Sequence, residues 1–235
     1  NLFKIPSTRM LCIFQPHTRC AAVFLMVLSP TAGGIIYEGQ ASQKKEGSLT
    51  DKKDYEKITV KKNSRILFIG DSITDVKFNF RFNSRIKGRK IYALQLKKKF
   101  RKYSKDIHVD IKGIASNRTY HLYDRLTKDC IDLKPDIIIM LIGVNDAWEN
   151  YVPDQYPPNP RRTQPHIREI YRRFKEELPD AKVLYLMPFM IDSVPEKLPF
   201  HEKLDEYREM LREIAEENGA VIVDLQEAFY KAQEE

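Results

Sequence analysis

Between Asp136 and Ile142 the chain reads DIIIMLI, six consecutive apolar residues followed at once by Gly143. A strand with one face in water alternates apolar and polar side chains. An unbroken run therefore belongs in the middle of a parallel sheet, covered by helices on both faces. Shorter β-rich runs lie on either side, at Arg65–Ile69 (RILFI), Ile107–Ile111, Lys182–Met187 and Val221–Val223. Helical periodicity separates them. It spans Ile91–Lys102 and Thr119–Asp129, then a helix carrying Ile167, Ile170, Tyr171, Phe174 and Leu178, which follows a Pro-rich loop over Val152–Pro165. A long helix over Phe200–Asn218 places Leu204, Tyr207, Leu211 and Ile214 on one face and ends at Gly219 as its cap, and a last helix begins near Leu225. Each parallel connection needs a crossover that a helix supplies, so this alternation predicts a doubly wound parallel sheet. Sites in such sheets form beyond the carboxyl ends of the strands. Three places qualify: Gly70-Asp71-Ser72, Gly113 to Asn117, and Gly143 to Asp146.

At 235 residues the chain holds one such domain and an extension. Residues 63–235 are expected to form the domain, and residues 1–62 a leader and polar tether, since Glu38–Lys62 is Lys/Glu-rich and without period. Within the leader, Ala21–Leu28 (AAVFLMVL) follows Arg9 and Arg19 and precedes Ser29-Pro30-Thr31-Ala32-Gly33-Gly34, the order of a secretory signal. It is too short to cross a bilayer as a helix, so no membrane span is expected. If residues 10–34 act as a signal the protein is secreted or extracytoplasmic; if they are a leader of another kind it is cytoplasmic. The net charge of +7 gathers at Lys97, Lys98, Lys99, Arg101, Lys102 and Lys105, the solvated side and C-terminal end of a helix. No nucleic-acid motif accompanies them, and Tyr103 stands alone rather than as a stacking platform, so no nucleic-acid partner is expected. Cys12, Cys20 and Cys130 share no paired spacing, so neither a metal cage nor a disulfide framework nor any cofactor is expected.

The chemistry is carried by the three strand ends. At Ile69-Gly70-Asp71-Ser72 a buried strand runs into a Gly-Asp-Ser turn that can present the Ser72 hydroxyl at the mouth of the sheet with its amide facing the site. Alone, the tripeptide is equally an ordinary turn or helix cap. Ile142-Gly143-Val144-Asn145-Asp146 places a side-chain amide where it can donate to a developing oxyanion, and taken alone it is an Asn-Asp turn. Between them, Lys112-Gly113-Ile114-Ala115-Ser116-Asn117 offers a glycine amide that can approach a ligand closely. In this order the GDS turn, the later glycine and the GxND element resemble the first three sequence blocks of the SGNH/GDSL hydrolase family. The similarity runs from about Arg65 onward, through Asp132-Leu133-Lys134-Pro135-Asp136 and Pro188-Phe189. The resemblance implies a flavodoxin-like three-layer α/β/α sandwich and a serine esterase acting on small acyl esters, such as O-acetyl groups on carbohydrate. It also implies roles. Ser72 attacks the carbonyl, while the Ser72 amide, the Gly113 amide and the Asn145 side chain hold the oxyanion.

A serine hydroxyl needs a base, which the family takes from a late Asp-x-x-His element. None of the five histidines has an aspartate three residues before it. His17, His108, His121, His166 and His201 are read as structural or surface residues. The domain is accordingly expected to be incomplete at its C-terminus and weakly active or inactive as it stands. Asp71 is read as a turn residue, a poor base at an ordinary carboxylate pKa. Lys77–Lys90 departs from the smaller, glycine-containing approach the family suggests and is read as either a substrate-facing loop or a solvated one. The alternatives are a non-catalytic binding protein using the same cleft, binding of anionic polymers by the basic helix face, and lysophospholipids or thioesters as substrates.

Overall fold

A computed structural model describes residues 30–31, 34–35, 58–78, 91–151, 163–190 and 198–226. Five strands, β1 (Arg65–Gly70), β2 (His108–Gly113), β3 (Ile137–Leu141), β4 (Lys182–Leu186) and β5 (Val221–Val223), form one sheet. Its order is β2-β1-β3-β4-β5 and every pairing is parallel. This is the flavodoxin-like order, with a switch point between β1 and β3 where the connections leave in opposite directions. A two-residue antiparallel pair, Pro30–Thr31 with Gly34–Ile35, lies apart from it.

The helices are α1 (Tyr92–Tyr103), α2 (Thr119–Asp124), α3 (Leu126–Asp129), α4 (Val144–Tyr151), α5 (Thr163–Glu177) and α6 (Leu198–Glu217). Successive β3 residues point to opposite faces, which is why the strand is apolar throughout. Ile137, Ile139 and Leu141 pack with Tyr92, Leu96 and Phe100 of α1. Ile138 and Met140 pack with Leu122, Leu126, Ile167, Ile170, Phe174, Leu211 and Ile214 of the helices on the other face. All five β3 residues are buried, each worth roughly 1.5–3 kcal/mol by area. The result is a three-layer α/β/α sandwich. Ile58 and Val60 are buried against the α1 face, so core packing reaches upstream of the boundary expected at residue 63.

Several local expectations are corrected. The β2 ladder runs on to Gly113 because β1 still offers partners there, Ile69 to Lys112 and Gly70 to Gly113. The helix expected over Thr119–Asp129 breaks at Arg125, whose φ of −104° and ψ of 5° leave the helical basin. Helix α5 begins at Thr163, inside the Pro-rich stretch, since Pro165 falls in a first turn whose amides need no helical partner. Gly219 takes φ +69° past the end of α6, as expected of its cap. Of the last expected helix, Gln226 is its start and the remainder lies outside the described residues.

Two clamps fasten the chain after β4 and β5. The Gln226 side chain accepts from the Met190 amide at 2.8 Å and donates to its carbonyl at 2.6 Å. Arg208 donates to both Asp224 oxygens at 2.8 and 2.7 Å and also to the Pro188 carbonyl, while Arg212 reaches Asp224 at 2.7 Å. Among the described residues no helix is long and apolar enough to cross a membrane.

Candidate active site

The chain leaves β1 through a tight turn. The Thr74 and Asp75 amides both donate to the Asp71 carbonyl, at 3.1 and 3.0 Å, and the Ile73 amide donates to Asp71 Oδ1 at 3.0 Å. Asp71, Ile73 and Thr74 are buried, Thr74 Oγ1 sharing a 2.9 Å hydrogen bond with the Tyr92 hydroxyl, whereas Ser72 between them is partly exposed. The turn therefore presents Ser72 at the carboxyl edge of the sheet, next to the switch point.

Gly113 ends β2 directly beneath this turn. A Cβ there would lie 2.2 Å from Asp75 N and from Thr74 C, so only glycine admits the close approach. Ile114 N donates to the Gly70 carbonyl at 3.1 Å, carrying the pairing of β1 and β2 one residue past the strand end. The loop beyond is tied back by Ala115 N donating to Asp75 Oδ2 at 2.9 Å, and it holds Ser116 at φ +63°, a left-handed conformation uncommon outside glycine.

Asn145 stands in the first turn of α4, beyond β3. Gly143, at φ +122°, makes the entry, where a Cβ would meet Leu211 Cδ1 at 2.6 Å. The buried Asn145 donates through Nδ2 to the Asn117 carbonyl at 2.9 Å. Next to it, Asp146 accepts from Thr119 N (3.1 Å), Thr119 Oγ1 (2.7 Å) and Thr163 Oγ1 (3.1 Å). Burial pushes the Asp146 carboxyl up to about 6 against these hydrogen bonds. Asp71 is fully buried, its Oδ2 has no hydrogen-bond partner among the described residues, and burial, with the Asp146 charge adding to it, pushes its carboxyl up to about 7. Asp71 is thus a turn residue as expected, but its carboxyl is not an ordinary one.

The expected site residues, Ser72, Gly113 and Asn145, all lie at the carboxyl ends of adjacent strands, Gly70 being in register with Gly113 on one side and Leu141 on the other. Asn117 and Asp146 fall within two of the strand-end stretches the sequence points to, without a role assigned to either, and Arg125 lies outside all three, because what these side chains hold is set by partners distant in the chain. The histidines occupy other positions. His108 begins β2, at the opposite end of the sheet, 3.3 Å from Asp110. His121 Nδ1 accepts the Arg118 amide at 3.2 Å, and His166 meets the Tyr120 and Tyr123 rings edge-on. His201 lies in the first turn of α6, and His17 is outside the described residues. Of the Lys77–Lys90 stretch, Lys77 and Phe78 continue a short helix from Val76, and residues 79–90 are outside the described ones.

The five-stranded all-parallel sheet with helices on both faces is the fold class of the GDSL/SGNH hydrolases. The chain belongs to the GDSL-like lipase/acylhydrolase family, whose sequence model matches residues 68–235, and with it to the carboxylic ester hydrolases. It is similar to an acetylxylan esterase of Geobacillus stearothermophilus, 30% identical over 176 residues, 70% of this chain and 77% of that protein. Among solved structures it resembles a Parabacteroides merdae protein described as a GDSL-like lipase (28% identity, TM-score 0.63, 75% of this chain and 84% of that one). It also resembles Axe2, an acetylxylan esterase from Geobacillus stearothermophilus (27% identity, TM-score 0.58, 73% and 80%).

Proposed function

We propose that the protein removes small acyl groups, O-acetyl groups of a carbohydrate in the first instance, with Ser72 as nucleophile. The observation that carries this reading is the fixed Asn145 amide beyond β3, beside the strand whose end presents Ser72. An amide nitrogen has two hydrogens. One is held by the Asn117 carbonyl, which fixes the plane of the group, and the other is the donor for an oxyanion. Ser72 Oγ attacks the ester carbonyl, its proton passes to a base, and the tetrahedral oxyanion is held by the Ser72 amide, the Gly113 amide and Asn145 Nδ2. Collapse breaks the bond to the sugar oxygen, which takes the proton from the base and leaves as a hydroxyl. Water then releases the acyl group by the same steps. Preorganised donors of this kind are typically worth roughly 3–4 kcal/mol each in the barrier. Gly113 is also the floor on which the Ser72 turn sits, its Cα lying against the Thr74 and Asp75 backbone. The acetylxylan esterase relative supports a carbohydrate ester as substrate.

The base in this scheme is a histidine of the Asp-x-x-His type, for which the 235 residues contain no match. The test compares this chain with a version extended by its downstream coding sequence, and Ser72→Ala in each, on 4-nitrophenyl acetate and acetylated xylo-oligosaccharides. Hydrolysis by the extended chain, weak or absent in the shorter one and abolished by Ser72→Ala, is the expected result. Binding of the oligosaccharides without turnover by either chain would sink the esterase reading in favour of a binding protein.

A further inference from the structure

Arg125 sits where the sequence reads as continuous helix and the chain instead breaks between α2 and α3. Its neighbours Leu122 and Leu126 are buried in the core, which holds the break against the sheet. From there the guanidinium reaches three elements at once. One terminal nitrogen donates to the Gly70 carbonyl at the end of β1 (2.9 Å) and the other to the Lys112 carbonyl near the end of β2 (2.9 Å), while Nε donates to Asn117 Oδ1 (2.8 Å). Asp129 balances the charge at 3.0 Å. Burial lowers the guanidinium pKa from its ordinary value, with Asp129 opposing the shift.

The sheet ladder alone does not fix these groups. The Gly70 carbonyl already accepts Ile114 N at 3.1 Å, and Arg125 supplies its second donor. Asn117 is used at both ends, its side-chain oxygen accepting from Arg125 and its main-chain oxygen from Asn145. The planar guanidinium fork holds its acceptors in fixed relative positions, which an ammonium cannot do. We propose that Arg125 is the positioning residue of this site: through Gly70 it fixes the base of the Ser72 turn, and through Asn117 it aims the Asn145 amide. This rests on the esterase reading for its catalytic consequence, while the placement of Asn145 is measurable without turnover.

The experiment uses Arg125→Lys, Arg125→Ala and Asn117→Ala in both the 235-residue and the extended chain. Displacement of a reacting or stabilising group by about 1 Å costs on the order of 100-fold in rate. Arg125→Lys and Arg125→Ala are expected to lower kcat by roughly 10- to 100-fold with KM changed less than about 3-fold. Added guanidinium, but not methylammonium, should restore part of kcat in Arg125→Ala. Asn117→Ala removes only the Nε contact of Arg125 and keeps the carbonyl that Asn145 uses. It remains informative if the Arg125 variants do not fold, and it should give the same kcat-selective loss. Independently, the two Nδ2 proton resonances of Asn145, assigned by their disappearance in Asn145→Asp, should shift in each folded variant. Unchanged Asn145 resonances, or a kcat per folded molecule equal to that of the parent, would overturn the proposal. Shifted resonances in the variants of a parent chain that hydrolyses no ester would uphold the positioning and discard the esterase reading.

Discussion

The main-chain carbonyl of Asn117 accepts the side-chain amide of Asn145 at 2.9 Å, so a residue of the loop after β2 sets the orientation of one that opens the helix after β3. Asn145→Ala removes this amide and leaves the turn at Ser72 untouched. The expected outcome is a kcat lower by about 100- to 1,000-fold with KM nearly unchanged, the signature of a donor used in the transition state. Steady-state kinetics on a 4-nitrophenyl ester measure it. A loss confined to KM would assign Asn145 to substrate binding.

Gly113→Ala tests the floor of the turn. The new methyl would fall 2.2 Å from the backbone of Thr74 and Asp75, which has no side-chain freedom with which to yield. Overpacking of this kind costs about 1–3 kcal/mol, so the urea midpoint should drop without a change in m-value. An unshifted midpoint would mean that the turn is not seated on β2.

The buried carboxyls make stability depend on pH in a direction opposite to that of a salt-bridged aspartate. Burial raises Asp71 to about 7 and Asp146 to about 6, both above the unfolded value of 3.8. Between those limits the folded state binds more protons than the unfolded one, so their contribution to stability is greatest at the acid end of that window and declines as pH rises through it. Asp71→Asn holds the side chain neutral, and is expected to flatten the fall in unfolding free energy between about pH 5 and about pH 8. An identical slope in wild type and variant would show that Asp71 ionises as an ordinary carboxylate.

Arg208→Met should release the chain segments that follow β4 and β5 together. Burial works to raise the Asp224 carboxyl, but Arg208 and Arg212 outweigh it and hold it below the usual range. Removing one arginine from this partly buried pair is expected to cost about 2–3 kcal/mol in denaturant unfolding. The double variant with Asp224→Asn should cost less than the sum of the two single changes, and strict additivity would show that the pair is not coupled.

The sheet was legible because its signal is local. Ile137–Leu141 and Val221–Val223 are apolar throughout, and their strands lie within the predicted bounds. The Ser72 turn was legible for the same reason, a buried run ending at glycine. Helix α4 has no counterpart in the sequence reading although Val144, Ala147, Trp148 and Tyr151 carry the helical spacing, because Asn145-Asp146 is read there for the chemistry of its side-chain amide and, alone, as a turn. The break at Arg125 was not legible, since the helical pattern of Leu122 and Leu126 continues across it and what interrupts it is a set of carbonyls on other strands.

The place of β1 between β2 and β3 bears on how the protein is made. On the ribosome β1 emerges before either of its neighbours, and its partner Ile137 follows Ile66 only after most of two crossovers have been synthesised. Until β2 is made both edges of this strand, apolar on both faces, are open, and until β3 follows one of them still is, the kind of surface that recruits other nascent chains. Vectorial synthesis therefore makes the earliest strand of the sheet the one that waits longest for closure, and a chaperone that shields Arg65–Gly70 would act at the point of greatest exposure.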